Sequence, residues 1–359
     1  MKSKLILFFA IAAIGAIFLS GCSGGGTGVA TGWPGLTANG ETAYLANSRH
    51  VYAINLSNGL EKWRFPAKPD AKMAFFASPV LGPSGDLLVG GYDYKLYSLN
   101  RESGAQNWVF TEAKKQYIDG PLVADEGIFA PNADDTLYAL DAQGNLRWKF
   151  KTAGPLWARP TSDPDCDCIY LAAMDHRLYS VDAATGELNW QTDDLGGAMV
   201  GRPALSADGV LYIGTFGSEM VAINAEDGAI LWRLTTSHWV WAGPALHDDR
   251  LYFGVLDGNL YAVDARTGAI VWQHQYDGKI SETPLVTTEA IYFTTDSGSV
   301  YALGLDGSTK WSKNLGFKLY TPPVLAGDLL LVAPSGTDEH LIALDLDGNQ
   351  RWVFIPEKK

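Results

Sequence analysis

The chain has 359 residues, with 27 Lys and Arg against 40 Asp and Glu, and its net charge of −13 becomes −15 without Lys2 and Lys4. That balance argues against a nucleic-acid partner, which needs clustered basic side chains to neutralise phosphates, and against electrostatic attachment to anionic lipid. The 47% of hydrophobic residues, including 12 Trp, 16 Tyr and 14 Phe, suffice for a large core.

Residues 1–21 read as an export signal. Lys2 and Lys4 give a basic start, Leu5 to Phe18 an apolar run short for a membrane span, and Leu19-Ser20-Gly21 a small-residue cleavage site before Cys22. Residues 22–32 form a Gly-rich tether. No strand pattern precedes this glycine run and no Lys-Ser or Lys-Thr follows it, so it is not a phosphate loop.

From residue 33 to 356 the sequence repeats without a linker, which predicts one domain. Eight Trp recur: Trp63, Trp108, Trp148, Trp190, Trp232, Trp272, Trp311 and Trp352, each with a Gly four residues before it. A period of about 40 residues belongs to propeller blades. Before each Gly lies a short alternating segment, such as Leu178-Tyr179-Ser180-Val181-Asp182, whose period of two marks a half-buried strand. The Gly supplies the positive φ of a hairpin, and the chain reverses into a strand ending on Trp. Ala or Ser stands nine or ten residues before each Trp, a shallow spot for a large ring. The Trp is expected to pack between blades, its indole N–H meeting a backbone acceptor.

A proline recurs in step, at 34, 79, 121, 160, 203, 244, 284 and 323, where it can open a strand. Between Pro and Trp each unit reads as four strands: for Pro244, these are Ala245-Leu246, 250–254, 259–264 and 269–272. The prediction is an all-β, eight-bladed β-propeller with four antiparallel strands per blade, a monomeric ring with short protected edges. Two closures are open: each blade from one continuous segment, or residues around Trp33 pairing with the strand at Trp352.

Catalytic patterns are sparse. There is no zinc helix, haem attachment, Walker loop or nucleophile elbow. His50, His176, His238, His247, His274 and His340 occupy unrelated blade positions, so nothing in the pattern gathers them. Asp93, Asp175, Asp257 and Asp296 precede turns, where Asp serves local hydrogen bonds. Cys166 and Cys168 sit with Asp163, Asp165 and Asp167 on the hairpin entering the second strand of blade 4. Three readings apply: a variant turn, a redox-active disulfide or a metal site, although the Gly and distant Glu of a calcium loop are missing.

The phrase Ala-x-Asp-x-x-Thr-Gly-x-x-x-Trp, complete in Ala262 to Trp272 and nearly so in Ser180 to Trp190, resembles the tryptophan-docking motif of the pyrroloquinoline-quinone-type propeller superfamily. The copies in blades 3, 7 and 8 are one residue shorter, and Gly304 replaces the Asp in blade 7. One branch, the quinoprotein dehydrogenases, implies a quinone cofactor with calcium and, in many members, adjacent cysteines; here Asp167 separates the nearest pair. The other branch, the outer-membrane assembly factor BamB family, is similar in its signal, short tether, plain blades and length. It implies a non-enzymatic scaffold without cofactor or metal and with an envelope protein partner. Leu19-Ser20-Gly21-Cys22 resembles a lipoprotein signal, which implies lipidation of Cys22. The resemblance places the domain on the periplasmic side of the outer membrane in a two-membrane cell, and otherwise on the outer face of the cytoplasmic membrane.

Loops entering innermost strands line one mouth of a propeller channel. The candidate partner- or ligand-binding rim is therefore Phe76, Tyr117, Asp119, Trp157, Arg159, Arg202, Trp239, Trp241, Glu282 and Tyr320. Aromatic residues and Arg dominate protein interfaces, while the apolar residue four before the proline in seven copies suits a cap over the core. A sugar or other small ligand over the aromatic residues is a further reading.

Overall fold

The computed structural model describes residues 32–125 and 127–357. Cys22, the export signal and nearly all of the tether lie outside these residues. Eight antiparallel four-stranded sheets follow one another along the chain, spanning 35–65, 80–110, 122–151, 161–191, 204–235, 245–275, 285–314 and 324–354. In blade 6 the strands are Ala245–His247, Arg250–Gly254, Asn259–Asp264 and Ile270–Gln275, so the last strand runs past Trp272 instead of ending on it. A two-stranded ribbon, Lys318–Leu319 with Pro334–Ser335, is added in blade 8.

Of the two closures, the continuous one is found. Gly35–Asn39 pairs with Thr42–Asn47 of its own blade, and Gln350–Phe354 pairs with Leu341–Asp345. The ring is sealed by side chains. The core divides into eight clusters, one at each seam between neighbouring blades. At the closing seam Leu36, Leu45 and Ile54 of blade 1 pack with Leu331, Leu341 and Phe354 of blade 8. Burial of branched and aromatic side chains from two twisted sheets holds each seam, at about 25 cal/mol per Å² of apolar surface.

The repeated phrase has a defined geometry. Ala262 pairs across the third and fourth strands with Trp272, and a register shift falls between Ala262 and Val263. All eight blades carry this shift directly after the Ala or Ser. Such a bulge bends a strand and re-aims its side chains. Each repeated Gly has a positive φ, as the turn requires, and meets the indole of the preceding blade. A Cβ added to Gly59 would lie 2.7 Å from Trp352 Cε3. The indole N–H then donates forward to the next blade's turn, as in Trp63 to Arg101 O (2.9 Å) and Trp232 to Ala265 O (3.0 Å). The turns are braced by carboxylates: Asp264 Oδ1 accepts from Thr267 N–H (2.9 Å) and its hydroxyl (2.7 Å).

Cys166 and Cys168 form a disulfide with an S–S distance of 2.08 Å, within the turn before Cys168–Ala172. The bond itself is what the structure adds to the three readings of this turn. Asp93 and Asp175 accept from the hydroxyls of Tyr97 (2.6 Å) and Tyr179 (2.5 Å), so they brace the third strand of their blades.

Candidate functional site

Strand alternation puts the loops before the innermost strands, and the turns between second and third strands, on one face of the ring. The repeated Pro stands immediately before the first strand, and a residue's offset from it decides its surroundings. Four before the Pro, the side chains of Phe75, Tyr117, Leu156, Met199, Val240, Ile280 and Leu319 are at most 1% exposed. They cap the seams. Tyr117 is thus not a rim residue: its ring lies over Gly90, and its buried hydroxyl has no hydrogen-bond partner. Burial pushes that hydroxyl's pKa well above the ordinary tyrosine value.

Three before the Pro, Trp157, Trp241 and Tyr320 are partly exposed, whereas Phe76 is not. Phe76 is buried, packed edge-on against Tyr92 at 5.0 Å and against Gly32. Trp33 lies over the mouth. It stacks on Tyr320 of blade 8 (5.2 Å, 24°) and meets Trp241 of blade 6 at 5.5 Å. The rings continue through Phe216, which stacks on Trp241 (5.0 Å) and on Trp239 (5.1 Å, 10°), with His238 edge-on to Trp239. Offset and tilted aromatic pairs of this kind are favourable beyond their buried area. Trp33 and Phe216 are additions to the candidate rim. Phe216 comes from a turn between second and third strands, and the coincidence of those turns with the entry loops on one face would have found it.

Four charged residues stand closer to the Pro: Asp119 and Glu282 two before it, Arg159 and Arg202 one before it. Asp119 Oδ2 accepts from the Arg159 backbone N–H at 3.1 Å, and Oδ1 from Gly120 N–H at 2.6 Å. The Arg159 Nε is buried without a hydrogen-bond partner. Arg202 Nε donates to Thr161 Oγ1 at 3.2 Å, which donates in turn to Pro203 O at 2.5 Å. Arg202 is open to water yet surrounded by protein, and desolvation, followed by repulsion from Arg159, lowers its pKa. Burial pushes the Glu282 carboxyl well above its ordinary pKa, and the charge of Asp119 adds to the shift. Asp119 and Glu282 enter blades 3 and 7, which face each other in an eight-membered ring, so the two carboxyls interact across the axis.

The donor set does not fit calcium, which takes six to eight oxygens with carboxylates among them. Of the described residues, the mouth offers only two carboxylates, Asp119 and Glu282, and both Asp119 oxygens already accept from backbone N–H groups. Among the described residues no group of three or more His, Cys, Asp or Glu is arranged to hold a metal ion. What this mouth presents is an aromatic wall beside two guanidinium groups, the chemistry of protein-interface anchors.

The histidine expectation needs one correction. His50 and His340 are brought together at the closing seam, on either side of Tyr52 at 5.4 and 5.8 Å. Burial lowers the pKa of both imidazoles. The juxtaposition arises from ring closure, which brings residues from the two ends of the repeat array side by side.

A sequence profile of the family described as "Outer membrane protein assembly factor BamB" matches residues 47–193, 174–286 and 256–358. The quinohemoprotein alcohol dehydrogenase ADH-IIG of Pseudomonas putida is 26% identical over 176 residues, 40% of this chain and 24% of that protein. The outer membrane protein assembly factor BamB of Nitrosomonas eutropha is 22% identical over 157 residues, 43% of this chain and 38% of its own. The chain thus spans well under half the length of these relatives. The crystal structure of BamB from Moraxella catarrhalis superposes with a TM-score of 0.69 at 19% identity, covering 87% of this chain and 93% of that one. At that identity the superposition supports the fold.

Proposed function

The chain belongs to the outer membrane protein assembly factor BamB family, and from that membership we propose that it is a non-enzymatic scaffold of the cell envelope that docks a partner protein at the channel mouth. In this reading Cys22 carries a lipid anchor and the tether lets the propeller stand off the bilayer. The partner is an envelope protein engaged in outer-membrane barrel assembly, and in a two-membrane cell the propeller hangs on the periplasmic side of the outer membrane.

The observation that carries the reading is the row of rings from Tyr320 through Trp33, Trp241 and Phe216 to Trp239. It joins elements of blades 8, 1, 6 and 5 into one partly exposed apolar shelf, with Arg159 and Arg202 in the mouth. Rigid aromatic side chains lose little entropy on docking, and Arg adds directional hydrogen bonds. The test is site-specific photo-crosslinking from position 241 in intact cells, with adducts identified by mass spectrometry. A dominant adduct with a barrel-assembly component is expected. A folded, correctly localised protein that yields no protein adduct contradicts the reading.

The partial similarity to a quinohemoprotein alcohol dehydrogenase favours one alternative, a quinone- and calcium-dependent oxidoreductase. The donor set of the mouth weighs against it. Incubation with pyrroloquinoline quinone and calcium, followed by dye-linked oxidation of alcohols and sugars, separates the two: turnover dependent on both additions would support the oxidoreductase.

A further inference from the structure

The eight blades share one geometry, so a position that departs in one blade carries its own comparison. At the start of the second strand, opposite the docking turn, five blades place Thr42, Cys168, Val210, Arg250 and Leu329. Blade 2 places Asp86 there, next to Leu87–Gly90, and its side chain is buried at 6% exposure. Its Oδ2 accepts from the hydroxyl of Ser98, which occupies a position held by Ala in six other blades. Asn107 Nδ2 donates to the same Ser98 oxygen at 3.2 Å. Asp86 Oδ1 is buried with no hydrogen-bond partner. A buried carboxylate oxygen left unpaired is costly, which marks this position as one held for a reason other than packing.

Asp86 lines a cavity of about 310 Å³ between blades 2 and 3, on the face opposite the aromatic shelf. The other wall is Trp108, which shows a second departure. Seven docking Trp donate their indole N–H to the following blade, but Trp108 makes no such bond. Asn100, Asn107, Arg101 and Gln143 complete the polar lining. A single carboxylate is too few for a hard cation, and the amides and hydroxyls are too many for an apolar ligand. Arg101, the cation of the lining, is engaged by Glu102 and Asn39, which weakens the case for an anion and leaves a small polyol. A carboxylate accepts from hydroxyl groups, amides both donate and accept, and an indole covers the apolar edge of a sugar ring while its N–H donates.

We propose that the cavity formed by Asp86, Ser98, Asn107 and Trp108 binds one saccharide unit. Its volume lies at the small end of ligand pockets, which suits a single hexose or hexosamine. The site is separate from the aromatic shelf, so partner docking and saccharide binding can fail independently.

The test uses the exported chain labelled with 15N, following indole N–H resonances during titration with D-glucose, D-galactose and N-acetylglucosamine up to about 50 mM, well above the millimolar affinity typical of weak binding. Trp108 is assigned by its disappearance in Trp108→Phe. A saturable shift of that resonance by one of the three sugars, weakened at least about tenfold in Asp86→Asn and in Asn107→Ala, supports the site. Asn107 is exposed, so its replacement tests the lining without burdening the fold. No saturable shift with any of the three, or a shift equal in wild type and both variants, overturns it.

Discussion

The indole N–H of Trp352 donates to the carbonyl oxygen of Leu56 at 2.8 Å across 296 residues of sequence. The bond is the same one that Trp63 makes to Arg101 or Trp190 to Ala225, where the partners are neighbours along the repeat. Ring closure therefore uses no special device. The last blade treats the first as its next repeat, and Gly59 receives the Trp352 ring as Gly268 receives Trp232.

Replacing Trp352 by Ala is expected to destabilise the domain by about 3 kcal/mol, the low end for aromatic-to-alanine changes in packed cores, because the ring is only partly buried. Trp232→Ala, at an internal seam, should cost a comparable amount, because both indoles donate to the next turn and cover its glycine. Gly59→Ala should cost more than about 1 kcal/mol, since it combines a positive φ with a collision against the Trp352 ring. Urea unfolding of the three variants measures this. A Trp352→Ala protein as stable as wild type would show that the seam is held by other means.

Glu282 gives a pH prediction. Its folded-state pKa is raised by burial and then by Asp119, above an unfolded value of about 4.3. The folded state therefore binds the proton more tightly. Stability from this carboxyl is complete below the unfolded value and is lost as pH rises through the folded one. Glu282→Gln, which cannot ionise, should be more stable than wild type at pH 8, with the gap closing towards pH 4. Parallel stability curves for the two proteins across that range would contradict the shift.

The docking turns respond in the opposite direction. Asp264 is held below its ordinary pKa by the Thr267 hydroxyl and then its backbone N–H, and Asp182 by the backbone N–H and hydroxyl of Thr185. Stability from these carboxylates is present above the unfolded value, about 3.9, and is lost as pH falls through the folded value. Hydrogen exchange at the Thr185 and Thr267 amides should accelerate together as pH falls below about 4, relative to unstructured amides, because both lose the same acceptor. In Asp264→Ala the blade 6 turn should lose this dependence while blade 4 keeps it. Protection at both turns that is flat to pH 2 would refute the role of the carboxylates.

Much of this was legible because a repeat declares its own geometry. Eight Trp with a Gly four residues earlier fixed the docking turn, and the Ala or Ser upstream was correctly paired with the ring. The offset from the Pro was legible only as a class. Sequence could not separate Tyr117, which caps a seam, from Trp157, which reaches the surface, because both are aromatic residues in the same loop family. Convergence through space was hidden altogether. His340 meets Tyr52, beside His50, through ring closure, Trp33 reaches Trp241 over the mouth, and Asp119 senses Glu282 across the axis. Each joins segments that no local pattern connects.

The measurement that tests the central claim most directly is partner capture by the double variant Arg202→Ala, Trp241→Ala, expressed from the full sequence with Cys22 kept and with folding verified by its thermal transition. Interface anchors of these types each contribute about 2 kcal/mol or more, so capture of the barrel-assembly partner identified by crosslinking should fall by at least about a hundredfold. Undiminished capture by a folded double variant would contradict the assignment of the channel mouth as the docking surface.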